Sequence, residues 1–391
     1  METKLLRELC VEIVDCPHST PSWTSAGKIV IRNFNIQHGK IDFSNPSFTD
    51  QEHYLHRIKR AKPEGGDLVI TREAPMGQVG MIPSNVECCL GQRMVLLKVD
   101  RTVCNPYYLL YALQSPAVQF QIKCNEGTGT TVSNLRIPIL EHLEIPFVNK
   151  ENQDRIAAFL KLIDDKIEAN NKIIKNLEEQ LCLLYKSFIL YKENFIGIKP
   201  VSELFTISIG KTPPRKETEW FSKKETDIKW VSISDMGKSY PYIQNTSEYI
   251  TKEAAEKFKI KVVPDNTILL SFKLTLGRIC ITDGEMATNE AIAHFPIEDE
   301  SILEYLYCYL RTFNYETLGN TSSIATAVNS KIIKNMQIPV PKNDELDRFH
   351  HLTAPLLQQI KILSRQQSVL QNIREALLTK LISSEIELKN Q

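Results

Sequence analysis

From Glu151 to Tyr191 the chain contains neither proline nor glycine. Across it Ile156, Leu160, Ile163, Ile167, Asn170, Ile174, Leu177, Leu181, Leu184 and Phe188 recur at alternating steps of four and three. That is a 3.5-residue period, the seam of a coiled coil. Nine of the ten positions are apolar, and the exception, Asn170, is a polar seam residue of the kind that fixes register. At about 1.5 Å per residue, roughly forty helical residues span about 60 Å. A small domain cannot bury a stripe of that length, so the seam calls for a second long helix.

The chain supplies one. Phe349, Leu356, Ile360, Leu363, Leu370, Leu377 and Leu381 follow the same spacing. Thr353, Gln367 and Arg374 hold the remaining positions, which makes this seam weaker. The two helices close two copies of one module. Asp67-Leu68-Val69-Ile70-Thr71 leads to Gly77, and Asn266-Thr267-Ile268-Leu269-Leu270-Ser271 leads to Gly277. Both read as a strand ending in a small hydroxyl residue and a glycine turn. Leu90-Gly91-Gln92-Arg93 then pairs with Thr288-Asn289-Glu290-Ala291. Tyr107–Leu113 pairs with Tyr305–Leu310, both expected as amphipathic helices. Gly127-Thr128-Gly129-Thr130-Thr131 matches Gly319-Asn320-Thr321-Ser322-Ser323, Leu143-Glu144-Ile145-Pro146 matches Met336-Gln337-Ile338-Pro339, and Asp154-Arg155 matches Asp347-Arg348. So many landmarks in one order mark a duplication. The expected fold is α+β: mixed domains over residues 1–148 and 192–341, separated by long helices over 149–191 and 342–391. The pattern leaves parallel and antiparallel helix pairing open. We favour an antiparallel coiled coil, which relates the copies by a pseudo-two-fold axis.

A length of 391 residues fits two to three domains. Lys+Arg and Asp+Glu both number 47, so a basic stripe over the whole protein is excluded, though a local basic patch is not. No apolar run reaches membrane-spanning length, and Glu2, Lys4, Arg7 and Glu8 do not resemble a signal peptide. The nine cysteines include no C-x-x-C pair, and the adjacent Cys88 and Cys89 are too close for zinc-ribbon spacing; reduced thiols in a cytoplasmic protein are expected.

Catalytic patterns are weak. There is no G-x-x-x-x-G-K-[ST] loop, no G-x-G-x-x-G opening a helix after a strand, and no H-E-x-x-H. His53 with His56, and His350 with His351, lack a carboxylate to complete a metal set. Asn105-Pro106-Tyr107-Tyr108 is similar to the Asn/Asp-Pro-Pro-Tyr/Phe motif of adenine-flipping methyltransferases, but lacks the second proline and a preceding glycine-rich loop for S-adenosylmethionine. A proline opening a helix accounts for it equally. The better candidates are polar loops at corresponding places in both copies. In the first these supply Ser19, Thr20, Ser22, Trp23, Arg72, Arg93, Thr128, Thr130, Thr131 and Asn134. In the second they supply Lys211, Thr212, Arg215, Lys216, Ser234, Lys273, Asn289, Thr321, Ser322 and Ser323. Such side chains contact phosphates and read base edges. Taken singly, each loop is also an ordinary solvated turn.

Together these landmarks resemble the DNA-specificity subunit of type I restriction–modification enzymes. Val14-Asp15-Cys16-Pro17-His18-Ser19-Thr20-Pro21, Thr71-Arg72-Glu73-Ala74-Pro75-Met76-Gly77 and Leu90-Gly91-Gln92-Arg93 are similar to one kind of target-recognition domain in that family. Ser208-Ile209-Gly210-Lys211-Thr212-Pro213-Pro214-Arg215, Trp230-Val231-Ser232-Ile233-Ser234-Asp235-Met236 and Leu270-Ser271-Phe272-Lys273-Leu274-Thr275-Leu276-Gly277 are similar to another. Ile145-Pro146 followed by Gln153-Asp154-Arg155-Ile156-Ala157 resembles the family's entry into its central spacer helix; the second spacer departs, with Asp344-Glu345-Leu346-Asp347-Arg348-Phe349 in that place.

The resemblance implies a non-catalytic chain in which each recognition domain reads one half of a bipartite, asymmetric DNA target. It implies that the helical pair sets the gap and docks two methyltransferase (M) subunits. It places no cofactor in this chain and no metal site. S-adenosylmethionine is expected on the M subunits, and ATP with Mg on restriction (R) subunits that can join them. Phe159, Ile173 and Leu183, outside the seam, are expected either to meet such partners or to pack on the chain's own domains. Two other readings compete: a self-contained methyltransferase using Asn105 and Tyr108, and a coiled-coil adaptor with no DNA role.

Overall fold

The structure, a computed structural model, describes residues 2–124, 134–318 and 328–388. The chain forms two compact units, one of Met1–Lys166 with Gln371–Gln391, the other of Ile167–Leu370. Each unit therefore contains part of both long helices, and the division falls inside those helices.

In the first unit an antiparallel sheet runs in the order β2 (Cys10–Asp15), β11 (Met94–Val99), β8 (Leu68–Thr71), β9 (Val79–Met81). Leu68, Val69, Ile70 and Thr71 are all buried, which explains an uninterrupted apolar run where a half-exposed strand would alternate. Strand alternation sends Leu68, Ile70, Val95 and Leu97 into a core with α2 (Pro106–Gln114), Ile156 and Leu160. Val69 and Leu96 face the opposite way, toward Ile31 and Leu90. Those two belong to a second sheet, ordered β10 (Cys88–Leu90), β4 (Lys28–Ile31), β7 (Ser47–Thr49), β3 (Trp23–Thr24), with β10 and β4 parallel. Strands β1 (Glu2–Leu5) and β12 (Glu144–Phe147) pair separately, as do β5 (Ile36–Gln37) and β6 (Lys40–Ile41). Helices α1 (Gln51–Arg57), α3 (Pro116–Cys124) and α4 (Ile137–Glu141) complete the globular part.

The second unit repeats this order. Its main sheet is β14 (Ser208–Ile209), β22 (Ile292–Phe295), β19 (Ile268–Ser271), β20 (Ile279–Thr282), with β17 (Tyr242–Ile243) added parallel to β20. Its second sheet is β21 (Ala287–Thr288), β16 (Ile228–Val231), β18 (Glu248–Ile250), β15 (Phe221–Ser222), again with the first two parallel. Strand β13 (Phe195–Pro200) pairs with β23 (Gln337–Pro341), as β1 does with β12. The helices are α6 (Val201–Leu204), α7 (Ile233–Lys238), α8 (Lys252–Lys257), α9 (Leu303–Thr312) and α10 (Ser330–Lys334). Even a single buried strut recurs: the Tyr108 hydroxyl donates to the Pro146 carbonyl (2.9 Å), and that of Tyr305 to Pro339 (2.7 Å).

One expectation needs correction. The segments Tyr107–Leu113 and Tyr305–Leu310 are helical but not amphipathic, since Tyr108–Leu113 and Leu303–Leu310 are buried on every side. Each helix lies among the sheet and long-helix residues of its unit's core; in α9 the polar Glu304 is buried against His350 (2.8 Å), and Arg311 is exposed in the last turn.

The long helices are α5 (Lys150–Phe188) and α11 (Asn343–Ile382). Within the first unit, Ile156 and Leu160 share a core with Leu377, Leu378, Leu381 and Ile382. There Arg374 on α11 meets Asp164 (2.5 Å), and Arg155 donates to the Leu388 carbonyl beyond it. Within the second unit, Phe349 packs 4.9 Å from Phe188 and 6.4 Å from Tyr185 between ring centroids. At the other end of that contact Gln367 donates to the Ile167 carbonyl (2.8 Å) and to Asn171. In both units rising numbers on one helix meet falling numbers on the other, so the paired segments run in opposite senses. Ile156, Leu160, Asn170, Ile174, Leu181, Phe349, Ile360, Leu363 and Leu381 are buried. Ile163, Ile167, Leu177, Leu184, Phe188, Leu356, Leu370 and Leu377 are half-buried. The polar positions that weaken the α11 stripe are spent on specific bonds: Gln367 and Arg374 reach α5, and the Thr353 hydroxyl returns to the Phe349 carbonyl. Helix α11 also buries the adjacent row Leu357, Ser364, Leu378 and Ile382, a wider face than one seam requires.

Two predictions follow from buried polar groups. Asn170 is fully buried; its amide nitrogen has one long contact, 3.4 Å to Gln366, and its carbonyl oxygen meets no donor among the described residues. Replacing it by leucine should raise stability by about 1–2 kcal/mol in urea denaturation; a loss would show that the amide is better satisfied than this. His294, fully buried between the hydroxyls of Ser208 (3.1 Å) and Thr288 (2.6 Å), has its pKa lowered by burial from 6.5 to about 4. The unfolded chain takes up that proton first, so stability falls as pH drops from 6.5 toward 4, by about 3 kcal/mol for this group. His294→Leu, the residue type found at the matched Leu96, should flatten that part of the pH–stability curve. Superimposable curves for the two proteins would contradict the assignment.

Candidate nucleic-acid interface

Each unit ends its central hairpin in the same clamped turn. In the first unit it joins β8 to β9, and in the second β19 to β20. The Thr71 hydroxyl accepts from the Gln78 N–H (2.9 Å) and donates to the Pro75 carbonyl. The Ser271 hydroxyl accepts from the Arg278 N–H (3.0 Å) and donates to the Thr275 carbonyl. Gly77 and Gly277 close the turns by donating to the Thr71 and Ser271 carbonyls (2.8 and 3.0 Å). Their φ values are +80° and +85°, and an added Cβ would lie 3.0 Å from the Ile122 side chain or 2.9 Å from the Tyr315 ring. Glycine is thus required by conformation and by space. At the tips, Ala74 (φ 46°) and Leu274 (φ 62°) are held in the left-handed region, and Leu274 is 98% exposed.

Around the first tip, the structure gathers Arg72, Arg93 and Asn134. Asn134 donates to Glu73 (2.8 Å) and accepts from Arg72 (3.2 Å), while Arg93 lies 3.1 Å from Glu73. Arg72 also holds both oxygens of Asp15 at 2.9 Å and the Leu135 carbonyl at 3.0 Å. With its side chain only 11% exposed, it braces this face from below. Ser19 and Thr20 lie exposed on the loop after β2, tied by Arg57 to the Ser19 carbonyl (2.9 Å) and by Gln92 to the Thr20 hydroxyl (3.2 Å). Ser22 contacts His53 (3.0 Å), and Trp23 beside it is half exposed. Thr128, Thr130 and Thr131 lie outside the described residues.

Around the second tip, Thr212 donates to Glu290. Partial burial works against the Glu290 charge, yet Thr212, its own N–H and the nearby Lys273 and Arg215 hold its pKa below the usual range. Arg215 pairs with both oxygens of Glu248 (2.8 and 2.9 Å) and sits over the rings of Phe221 (4.3 Å) and Trp230 (4.6 Å). Lys211 donates to the Phe258 carbonyl (2.7 Å), and Asn289 accepts from the Ala291 N–H (3.0 Å). Ser234 is exposed in the first turn of α7. Lys216 and Lys273 are exposed and make no ion pair among the described residues. Thr321, Ser322 and Ser323 lie outside the described residues.

Sequence reading missed several members of these faces: Glu73, Gln92, Glu248, and Arg32 with Phe34 beside Trp23. Trp23 is on β3 and Arg32 follows β4, two strands separated by β7, so no linear spacing joins them. Asn105, the candidate methyltransferase residue, accepts from the Tyr107 and Tyr108 N–H groups as a helix cap and donates to Asp154 (2.7 Å). Tyr108 is fully buried with its hydroxyl on Pro146, so neither side chain stands ready to grip a base.

The chain belongs to the type I restriction modification DNA specificity domain family, whose model matches residues 24–179 and 197–387, one stretch in each repeat. The MjaIX type I restriction enzyme specificity subunit of Methanocaldococcus jannaschii is 26% identical over 351 residues, covering 83% of this chain and 78% of the relative. The EcoR124I/EcoR124II specificity subunit of Escherichia coli is 22% identical over 236 residues, covering 55% and 57%. The crystal structure of a type I restriction–modification S subunit from M. genitalium shares the fold, with a TM-score of 0.56 at 17% identity, over 100% of this chain and 96% of that one. No helix among the described residues is long and apolar enough to cross a membrane.

The clamp can be tested directly. Thr71→Val and Ser271→Ala each strip a buried turn of two hydrogen bonds and should cost on the order of 1–3 kcal/mol in urea denaturation. Thr71→Ser should cost much less. Equal losses for Thr71→Ser and Thr71→Val would place the effect in packing instead.

Proposed function

We propose that this chain is the DNA sequence-specificity subunit of a type I restriction–modification system. Each unit reads one half of a bipartite, asymmetric double-stranded target with the loops around its clamped turn. Helices α5 and α11 act as an antiparallel coiled coil that sets the length of the unread gap and docks two methyltransferase subunits. The chain itself is non-catalytic and works in the cytoplasm. S-adenosylmethionine is bound by the M subunits, and ATP with Mg by R subunits where these join. The observation that carries the reading is one strand order built twice, with different side chains on matching loops, inside a family match that spans both repeats. One framework with two sets of readers suits two different half-words. A formal charge of zero fits a chain whose partners neutralise much of the DNA phosphate.

The assembled complex with its methyltransferase partner should protect two short DNA segments separated by an unprotected middle. A continuous footprint, or none, would defeat the reading. Inserting four residues after Asn170 adds about 6 Å of helix and should lengthen the middle while leaving both half-words unchanged, as read by mapping methylated adenines. An unchanged gap would remove the helices from that role.

A further inference from the structure

Arginines in the first unit are mostly committed to the protein. Arg57 donates to the Leu90, Ser19 and Pro17 carbonyls, Arg72 to Asp15 and Leu135, and Arg101 to the Gly65 carbonyl, while Arg93 lies against Glu73. Arg32 is different. It is exposed and makes no ion pair among the described residues. Its guanidinium lies 4.8 Å from the Trp23 ring centroid and 4.7 Å from that of Phe34, and both rings are themselves 47% exposed. Its one polar side-chain contact among the described residues is long, 3.5 Å to the Ser47 hydroxyl.

The backbone beneath it is fixed. The Arg32 N–H donates to the Asn35 side chain (2.9 Å), whose own amide donates to the Asp42 carbonyl (2.9 Å). Next to Arg32, the Asn33 amide donates to the carbonyls of Glu73 (3.0 Å) and Ala74 (3.2 Å). The aromatic–arginine cluster is therefore tied to the tip of the clamped turn, beside Arg93 and Asn134. The second unit has a counterpart in Arg215 over Phe221 and Trp230, but Glu248 occupies that guanidinium through both carboxylate oxygens. A base edge could bind Arg215 only by displacing a partner already in place.

We propose that Arg32 is a specificity-determining residue of the first unit and reads a guanine in the major groove. This rests on the proposed DNA-reading function. Ring contacts attract a guanidinium through its face and restrict its rotation, while the hydrogen-bonding donors lie along its edge. A fork ordered in advance loses less freedom on binding. The O6 and N7 of guanine match that fork bidentately. A phosphate also accepts such a fork, but a lysine can hold a phosphate as a point charge and cannot span O6 and N7 as a planar fork, so the effect of lysine separates the two ligands.

The test uses the full chain assembled with its methyltransferase partner, with the target first identified by mapping methylated adenines. Arg32→Lys and Arg32→Ala complexes are compared with the unaltered one on the target and on its single-base-pair variants. The expected result is about a tenfold to hundredfold loss of affinity on the target for both substitutions. Discrimination should vanish at a single G·C pair in one half-word and persist at every other position. Phe34→Leu, which keeps the fork and removes one ring, should lose less. Weakening by Arg32→Ala that is uniform across sequences, lowers the salt dependence by about one phosphate contact and is restored by lysine would make Arg32 a backbone contact and overturn the proposal. Unchanged discrimination would overturn it as well. Thermal melts of each variant separate a folding loss from a binding loss. An unaltered complex with no sequence preference would instead defeat the function on which the proposal rests.

Discussion

The structure depends on burying one apolar stripe. Helix α5 carries more seam than either globular part can cover, and α11 runs back along it in both units. Burial of Leu160, Ile174 and Leu181 against α11 and the unit cores follows from the hydrophobic gain of removing large aliphatic side chains from water. The polar members of the contact restrict it. Arg374 on Asp164 and Gln367 on the Ile167 carbonyl satisfy each other only in one alignment, so a slipped pairing would strand buried donors. Apolar residues hold the helices together, and these few polar ones select how they meet.

On that frame the two units use a shared backbone differently. The clamp at Thr71 or Ser271 is the same set of bonds, because a hydroxyl and a glycine suffice to build it. What projects from it is not the same. The first tip shows Glu73 and Ala74, the second Lys273 and Leu274, and their neighbours follow suit: Arg93 and Asn134 in one, Thr212 and Glu290 in the other. Rigid turns with interchangeable tips let chemistry diverge without cost to the fold, since loop residues contribute little to the cores beneath them.

Much of the architecture was legible because it rests on periodicity and repetition. The heptad spacing located both helices, and matched landmarks located the strands that became β8 and β19. The buried character of α2 and α9 was not legible, because a short apolar helix reads alike whether one side or every side is covered. The interface was legible by loop but not by role. Arg72 and Arg215 looked like free cations in sequence, and are instead bound to Asp15 and Glu248, residues 57 and 33 positions away. Arg32 drew no notice, since Trp23 meets it only after β3, β7 and β4 have assembled, and Phe34 two residues on is in sequence an ordinary neighbour.

The make-up of the first unit has a consequence for synthesis. Its core needs Leu378, Leu381 and Ile382, more than two hundred residues downstream of Leu160. As the chain leaves the ribosome, the second unit has all its residues in hand while the first still lacks part of its own. The first globule must wait with an uncovered stripe, open to chaperones, until residues 378–382 have emerged. A product terminated before Leu378 would carry all of the second unit beside an incomplete first.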